Sequence, residues 1–325
     1  INASLREAFC VIQHAIRAVP GVLGASCFSD KDIYEKLGAF LRDHKARGSD
    51  QKLYMVSCDV QKAFDSIDAE RILAMVGGLL RKEEYDLHKF ITASTWTKDL
   101  YTKTRQTCEV LPPDDTFEDG FRYPHHVILN KASSSRVKAS ALREIVREHL
   151  MSNLVYAHGK FYKQVKGIPQ GSVLSTLFCS LYLANLEVTR VFPRLSLADS
   201  QDHAEALKFH LRHGTVEEAG GDVAMAAAGG AYPSIPTYEV ALSKQSPLRH
   251  RSVVLRFVDD YLFITTDEDR ARRFMEVMRE GFPDCGILLN PVKFSHSGFC
   301  VDGVEGEEGI RWCGPVSYTH LTLPT

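Results

Sequence analysis

The chain has 325 residues, of which 44% are hydrophobic and 25% charged, a composition typical of a globular protein. Its formal net charge of −2 lacks the basic excess common in nucleic-acid-binding domains, although a local basic groove is compatible with that total. The eight cysteines form no C-x-x-C pair, which argues against a zinc motif and indicates reduced thiols. No run of 18 apolar residues occurs, so we expect no membrane span.

The predicted elements alternate between helices and strands along the chain. In order they are an opening helix, strand Leu53–Cys58, helix Asp68–Leu80 with Asp68 as N-cap, loop Pro112–Asp119, helix Val137–Val155, strand Phe161–Val165, a helix after Ser172, a flexible Gly/Ala/Pro-rich stretch Ser196–Ser246, strands Val253–Val258 and Tyr261–Thr265, a helix with the capping box Thr266-x-x-Asp269, and strand Gly286–Leu289. Because strands and helices are interleaved, this pattern predicts an α+β or α/β domain. The chain begins at Ile1 inside a helical pattern, and we expect a fragment of a longer protein.

Two acidic sites lie at the ends of apolar strands. Asp259 and Asp260 separate two runs of β-forming residues and are expected at the tight end of a hairpin, and Asp59 ends another apolar run. Each carboxylate alone is also explained as an ordinary cap or turn residue. Three carboxylates at strand ends can meet on one rim of a sheet, where they would suit a hard divalent cation. Such a cluster holding two Mg²⁺ ions is the arrangement used for in-line displacement at phosphorus.

A third site precedes the helix after Ser172. The sequence from Gly167 to Gly171 contains two glycines, Pro169 and Gln170, and is expected to form a turn that leads into the helix. It reads either as an ordinary loop-to-helix junction or as a surface on which a base pair or a nucleotide backbone lies close to glycine. The residues alone leave both interpretations open.

Five segments together resemble the reverse transcriptases, and specifically the telomerase reverse transcriptase family. The segments SCDVQKAFDSI, GIPQGSVLST, LRFVDDYLFIT, ILLNPVKF and RWCG occur in the order of motifs A, B′, C, D and E of that family. The VDD triplet, the WCG triplet and the PGVLGASCFSDKDIYEKL segment favour telomerase over retroviral, retrotransposon and intron enzymes. The long span between Asp65 and Gly167 is similar to the family's insertion in fingers. Each motif alone is weak, but the set is specific.

The resemblance implies a right-hand polymerase palm of the α+β class, an antiparallel sheet backed by helices, with part of the fingers including the insertion in fingers. The implied parts are 1–52 partial fingers, 53–82 motif A, 83–150 insertion in fingers, 151–190 motif B′, 191–252 a flexible insertion, 253–314 motifs C, D and E, and 315–325 an artefactual tail. The insertion at 191–252 is expected to be either a feature of the lineage or unspliced or mispredicted sequence.

Metal binding is the first role that the resemblance implies. Asp59 and Asp259 match the aspartates that bind both Mg²⁺ ions in this family. Asp260 matches a second motif C aspartate with a less direct part, and the backbone carbonyl of Val60 is implied as a further ligand. Asp65 matches a motif A position that we interpret as structural.

Substrate contacts are the second implied role. Phe64 stands at the steric-gate position that selects deoxynucleotides, although a core phenylalanine is the alternative explanation. Gln170 and Gly171 are implied to lie under the incoming nucleotide, and Lys293 to be the general acid for the leaving pyrophosphate, where an ordinary surface lysine is the alternative. The implied primer grip consists of Trp312, Cys313 and Gly314.

The predicted function is therefore RNA-directed DNA synthesis by a telomerase catalytic subunit in the nucleus, at chromosome ends. Its expected partners are a telomerase RNA template, a single-stranded telomeric DNA primer, deoxynucleoside triphosphates and unspecified accessory proteins, with no membrane. A retroelement or group II intron reverse transcriptase is the alternative within the same chemistry, and a non-catalytic nucleic-acid-binding scaffold is the alternative outside it. We expect the fragment alone to be inactive, because the fingers residues that contact the triphosphate are not in it.

Overall fold

The computed structural model describes residues 2, 4–19, 21–46, 52–95, 102–110, 127–196, 252–301, 304–306, 310 and 312. Its helices are α1 Arg6–Arg17, α2 Asp30–Ala46, α3 Ala63–Ser66, α4 Ala69–Leu79, α5 Ala139–Met151, α6 Ser175–Leu186, α7 Phe192–Ser196 and α8 Glu268–Glu280. A π-helical turn, Glu187–Val191, joins α6 to α7, and two short 3₁₀ turns lie at Pro283–Cys285 and Pro291–Lys293. No helix within these ranges is both long and apolar enough to span a bilayer.

The strands form one central sheet and three smaller ones. They are β1 Ser26–Cys27, β2 Tyr54–Asp59, β3 Glu84–Thr95, β4 Thr102–Val110, β5 Val127–Lys138, β6 Leu154–Ala157, β7 Lys160–Lys163, β8 Ser252–Phe257, β9 Asp260–Thr265, β10 Ser295–Ser297, β11 Cys300–Val301 and β12 Val304–Glu305. The central sheet has the order β1-β8-β9-β2-β10, in which only the β1–β8 pair is parallel. The others pair as β4-β3-β5, β6-β7 and β11-β12.

Helices cover both faces of the central sheet. Successive side chains of a strand point to opposite faces, and apolar side chains on both faces of this sheet are buried against helices. On β9, Phe263 joins the larger core and stacks on Phe274 of α8, with ring centroids 4.6 Å apart. The next residue, Ile264, joins a second cluster on the other face, where Phe40 of α2 packs. The resulting arrangement confirms the predicted α+β class with a sheet backed by helices, although the parallel β1–β8 pair makes this sheet mixed and not purely antiparallel as predicted.

Several predicted elements are confirmed, with shifted ends. Helix α4 begins after Asp68, whose carboxylate accepts hydrogen bonds from the Glu70 and Arg71 amides. The predicted Val137–Val155 helix is shorter, because α5 ends at Met151 and β6 begins at Leu154.

Two local predictions are wrong. The cap of α8 is Asp267 and not Thr266, since the Asp267 carboxylate accepts from the Asp269 and Arg270 amides. The segment Gly286–Leu289 is not a strand, because only isolated bridges tie Ile287 to Phe282 and Leu289 to Val60.

The sheet β4-β3-β5, which we call the insertion sheet, lies in the segment predicted as the insertion in fingers. Its strands were not predicted individually. One face is buried through Tyr85 and Leu87, which join the main core. Residues 112–119, 197–251 and 315–325, which include the predicted acidic loop, most of the predicted flexible insertion and the predicted artefactual tail, lie outside the described residues. The domain boundaries therefore stay predictions.

Candidate active site

Three carboxylates meet at one end of the central sheet. Asp59 is the last residue of β2, Asp260 is the first of β9, and the two are directly opposite each other in the antiparallel register. Asp259 lies in the turn between β8 and β9. One ligand atom from each of the three carboxylates lies within 4.8 Å of the others.

The β8–β9 turn that carries Asp259 has an unusual backbone conformation at Val258. Phe257 pairs with Asp260, which leaves Val258 and Asp259 as a two-residue turn. Val258 has a φ of 59°, a left-handed conformation that β-branched residues rarely adopt and that costs about 1–3 kcal/mol. The surrounding structure must therefore stabilise this turn.

Backbone hydrogen bonds brace the two halves of the cluster. The Val60 amide donates to the Asp259 carbonyl over 3.1 Å, and the Asn290 amide donates to the Asp59 carbonyl over 2.8 Å. The Asp59 and Asp259 positions are thus coupled through the backbone as well as through their charges. Val60 itself has a buried side chain and continues directly from Asp59, so its backbone lies at the cluster.

The electrostatics of the cluster call for a cation. Burial, and then the charge of Asp59, raise the pKa of Asp259. Burial, a hydrogen bond with Asp59 and the charges of Asp59 and Asp259 raise the pKa of Asp260 to about 6. The three side chains supply only carboxylate oxygens, which are the ligands that Mg²⁺ prefers, and a divalent ion would relieve their repulsion. The donor set therefore fits the predicted metal.

Lys293 contacts this cluster directly. Its Nζ lies 3.1 Å from Oδ2 of Asp59, and its side chain is 60% exposed at the mouth of the site. The hydrogen bond with Asp59, together with the charges of all three aspartates, raises the pKa of Lys293. The lysine is consequently protonated at neutral pH and remains accessible from solvent.

The loop before α6 packs against the short helix α3. The Ile168 amide donates to the Phe64 carbonyl over 2.8 Å, and the phenylalanine side chain is half-buried. Gly167 has a φ of 77°, and a Cβ there would lie 2.5 Å from the Phe64 carbonyl oxygen, so the close approach requires glycine. Gln170 donates from Nε2 to Oδ1 of Asp65 over 3.2 Å. Asp65, interpreted as structural from the sequence, thus orients Gln170.

Gly171 precedes α6 at an exposed position, and Trp312 of the predicted primer grip lies in the second hydrophobic cluster. Gly171 has a φ of 77°, with open space where a Cβ would stand. Trp312 is 5% exposed and packs in the second cluster with Phe40, so its ring is a core element. Cys313 and Gly314 lie outside the described residues, and the primer grip stays a prediction.

The sequence interpretation missed a buried ion pair beside the turn. Arg256 of β8 and Glu187 of the π-helical turn are both fully buried, with Nε and Oε1 2.5 Å apart. An arginine inside a run of β-forming residues was a visible signal, as was a glutamate that ends an apolar helix. Their pairing could not be read from the sequence, because 69 residues separate them.

The amino-acid sequence of the chain is similar to those of telomerase reverse transcriptases. No protein-family model matches the chain. It is 27% identical over 313 residues to a telomerase reverse transcriptase from Arabidopsis thaliana, covering 94% of this chain and 24% of the relative. A telomerase reverse transcriptase from Canis lupus familiaris is 23% identical over 340 residues, covering 97% of this chain and 25% of the relative. The chain therefore spans about a quarter of the length of these relatives.

Solved telomerase structures share the fold. A telomerase from Candida albicans, in complex with a fragment of telomeric RNA, superposes with a TM-score of 0.55 at 16% identity and covers 95% of this chain and 37% of its own. An apo telomerase from Candida tropicalis, truncated of its C-terminal domain, gives a TM-score of 0.52 at 14% identity and covers 96% of this chain and 43% of its own. These two comparisons bear on the fold alone.

Proposed function

We propose that this chain, whose predicted resemblance to telomerase reverse transcriptase is confirmed along nearly its whole length, is the palm of an RNA-directed DNA polymerase that extends chromosome 3′ ends. The observation that carries the proposal is the meeting of three carboxylates at the rim of a palm-like sheet. The relatives described above are telomerase reverse transcriptases, which favours this reading over a retroelement enzyme. The presence of all three carboxylates in one cluster argues against a non-catalytic scaffold.

Metal binding is the first part of the proposal. Asp59, Asp259 and Asp260, together with the Val60 carbonyl, would hold two Mg²⁺ ions. When bound, such ions lower the pKa of the attacking hydroxyl and neutralise charge on the transferring and leaving phosphate oxygens. The aspartates fit this task because a strained turn and two backbone hydrogen bonds fix Asp59 and Asp259 before any substrate arrives.

Proton transfer is the second part. Lys293 would give its proton to the pyrophosphate as that group leaves, and would then be recharged from solvent. Its position at the mouth of the site supports this role, because Nζ lies 3.1 Å from Oδ2 of Asp59 and the exposed side chain can be reprotonated from solvent.

Selection of the sugar is the third part. The half-buried ring of Phe64 would contact the 2′ position of the incoming nucleotide and exclude a ribose hydroxyl. Asp65 would hold Gln170 under the same nucleotide, and the open space at Gly171 would allow its close approach. These contacts together would position the triphosphate for in-line attack.

The partners follow from this proposal. The template would be a separate telomerase RNA and the primer a single-stranded telomeric DNA end, which places the protein in the nucleus at telomeres. Support for an RNA partner comes from the Candida albicans telomerase, whose structure was solved with a telomeric RNA fragment. Accessory proteins of the ribonucleoprotein are proposed without identification.

Primer extension by the full-length protein with its RNA tests the proposal. Asp259→Ala should reduce extension by about three orders of magnitude or more, because several kcal/mol of transition-state stabilisation depend on the metals. Binding of the RNA should be unchanged. Ribonuclease treatment of the wild-type complex should also abolish extension.

A matched control is Asp284→Ala, at an exposed aspartate paired with Arg190 away from the cluster. This variant should extend primers as the wild type does. Full activity of Asp259→Ala, or ribonuclease-resistant extension by the wild type, would reject the proposed function.

A further inference from the structure

Arg256 is a charged residue in an unusual place. It is 0% exposed and lies in β8 between Leu255 and Phe257, three residues before Asp259 of the turn. Taking a charge out of water costs several kcal/mol unless it is paired and fully hydrogen-bonded. A hydrophobic side chain at this position would be the ordinary solution for a strand covered on both faces.

All three nitrogens of the Arg256 guanidinium group donate hydrogen bonds. Its Nε pairs with Glu187, and its Nη2 donates to Oγ of Ser26 over 2.6 Å and to the Ser180 carbonyl over 3.0 Å. Its Nη1 donates to the Val258 carbonyl over 2.8 Å. The arginine therefore ties β1, α6 and the π-helical turn to the peptide that joins Val258 to Asp259.

Glu187 is as completely used as its partner. Its Oε1 accepts from Arg256, and its Oε2 accepts from the Ala25 amide over 2.8 Å. A Cβ at Gly24 would overlap the Glu187 carboxylate, so a glycine at position 24 is needed to accommodate this side chain. Glu187 begins the π-helical turn, a local irregularity that is frequent at functional sites. The carboxylate thus fixes the direction in which the guanidinium points.

The bond to the Val258 carbonyl falls where the turn needs support. Val258 is the residue with a φ of 59°, and its carbonyl belongs to the peptide that carries Asp259. On the other side, the Asp259 carbonyl accepts from the Val60 amide. The backbone around Asp259 is therefore clamped by Arg256 before it and by β2 after it.

We propose that Arg256, aligned by Glu187, is a positioning residue that holds the Val258–Asp259 turn so that the Asp259 carboxylate meets Asp59 and Asp260 at the metal site. This inference rests on the proposed function for its effect on catalysis, but its effect on metal affinity stands on the geometry alone. A lysine cannot replace the arginine, because a single ammonium cannot bridge Glu187, Ser26 and the Val258 carbonyl at once.

The test uses the full-length protein with its RNA, and compares Arg256→Lys with Arg270→Lys. Arg270 is a matched control, since it is 3% exposed, pairs with Asp267, and lies in α8. For Arg256→Lys we expect kcat to fall about tenfold or more, because one hydrogen bond to a charged group is lost at the turn. The Mg²⁺ concentration for half-maximal extension should rise about fivefold or more on the same argument. The KM values for primer and deoxynucleotides should stay within about twofold, since the contacts proposed for these substrates are untouched.

A second readout does not depend on activity. Binding of Mn²⁺ to the purified protein, followed by the electron paramagnetic resonance signal of the free ion, should weaken by a similar factor in Arg256→Lys. In Arg270→Lys, both the Mg²⁺ midpoint and Mn²⁺ binding should match the wild type even where the melting temperature falls.

The inference is overturned if Arg256→Lys loses activity only in proportion to its folded fraction, with the Mg²⁺ midpoint and Mn²⁺ binding unchanged. If Arg256→Lys does not fold, Glu187→Gln and Ser26→Ala provide milder changes, because each removes one restraint on the guanidinium. Unchanged metal dependence in both variants would equally reject it. A wild-type complex that extends no primer would refute the proposed function, and Mn²⁺ binding would still decide the positioning role.

Discussion

The rim of the central sheet brings like charges together, whereas the insertion sheet pairs opposite charges. At the rim, three carboxylates converge, and two of them have raised pKa values because they are half-buried beside one another. In the insertion sheet, Oδ1 of Asp86 in β3 lies 2.8 Å from Nε of Arg136 in β5, and both side chains are exposed to water. Like charges held together cost stability, whereas an exposed opposite pair contributes little either way.

The difference separates what each region is built for. A fold selected for stability alone would not place Asp259 in a strained turn beside two other acids. In the insertion sheet, the buried face joins the core, and Lys89 and Arg136 pair with acidic side chains. Substitutions at the rim should therefore change chemistry more than stability, and substitutions of the surface charges in the insertion sheet should change neither strongly.

Of the substitutions at Lys293, Phe64 and Lys89, the one at Lys293 should have the largest effect on activity. Replacing it with alanine should lower kcat by about 10²-fold or more, the contribution typical of a general acid. Lys293→Arg should not rescue this loss, because a guanidinium keeps the charge but does not release its proton. Single-turnover primer extension, with melting temperature as a check on folding, measures both. Full rescue by arginine would show that Lys293 acts only as a counter-charge to Asp59.

The rim was predictable from the sequence because its signals are local. Runs of β-forming residues flank Asp259 and Asp260 and predict a hairpin, although the turn is Val258–Asp259 and Asp260 is the first residue of β9. The meeting of Asp59 with this hairpin was predicted from the position of all three carboxylates at strand ends, whereas the pairing of β2 with β9 is shown only by the structure. The register that sets Asp59 opposite Asp260 came only from the structure.

The insertion sheet was less predictable for a physical reason. Its strands are rich in threonine, serine and lysine, and the register of β3 against β5 shifts between Lys89 and Ile91, where the alternation of buried and exposed residues along β3 is also interrupted. The ion pair between Arg256 and Glu187 could not be predicted for a different reason, because it joins elements that are far apart in the chain. Likewise, a single-residue shift from Thr266 to Asp267 at the α8 cap depends on backbone dihedral angles that no spacing rule fixes.

A smaller effect is expected at Phe64, where the change concerns selectivity. Phe64→Ala should raise the incorporation of ribonucleotides relative to deoxynucleotides by about 10–100-fold, since relieving a steric clash is worth about 1–3 kcal/mol. Competition between the two nucleotide types in primer extension measures the ratio. Phe64→Tyr is the matched control and should preserve discrimination, because it keeps the ring. An unchanged ratio in Phe64→Ala would assign the ring to the core, with which it is partly packed.

The smallest effect is expected at the contact between the insertion sheet and α1. Lys89 of β3 pairs with Glu7 of α1 over 2.5 Å, and both side chains are about one-third exposed. Because a pair this accessible to water contributes about 0.2–1 kcal/mol, Lys89→Ala should lower the melting temperature by no more than about 4 °C. Primer extension by the full-length protein should remain within twofold of the wild type, with an unchanged Mg²⁺ midpoint. A large loss of activity at unchanged stability would mean that the insertion sheet takes part in catalysis, and the contrast between the two regions would fail.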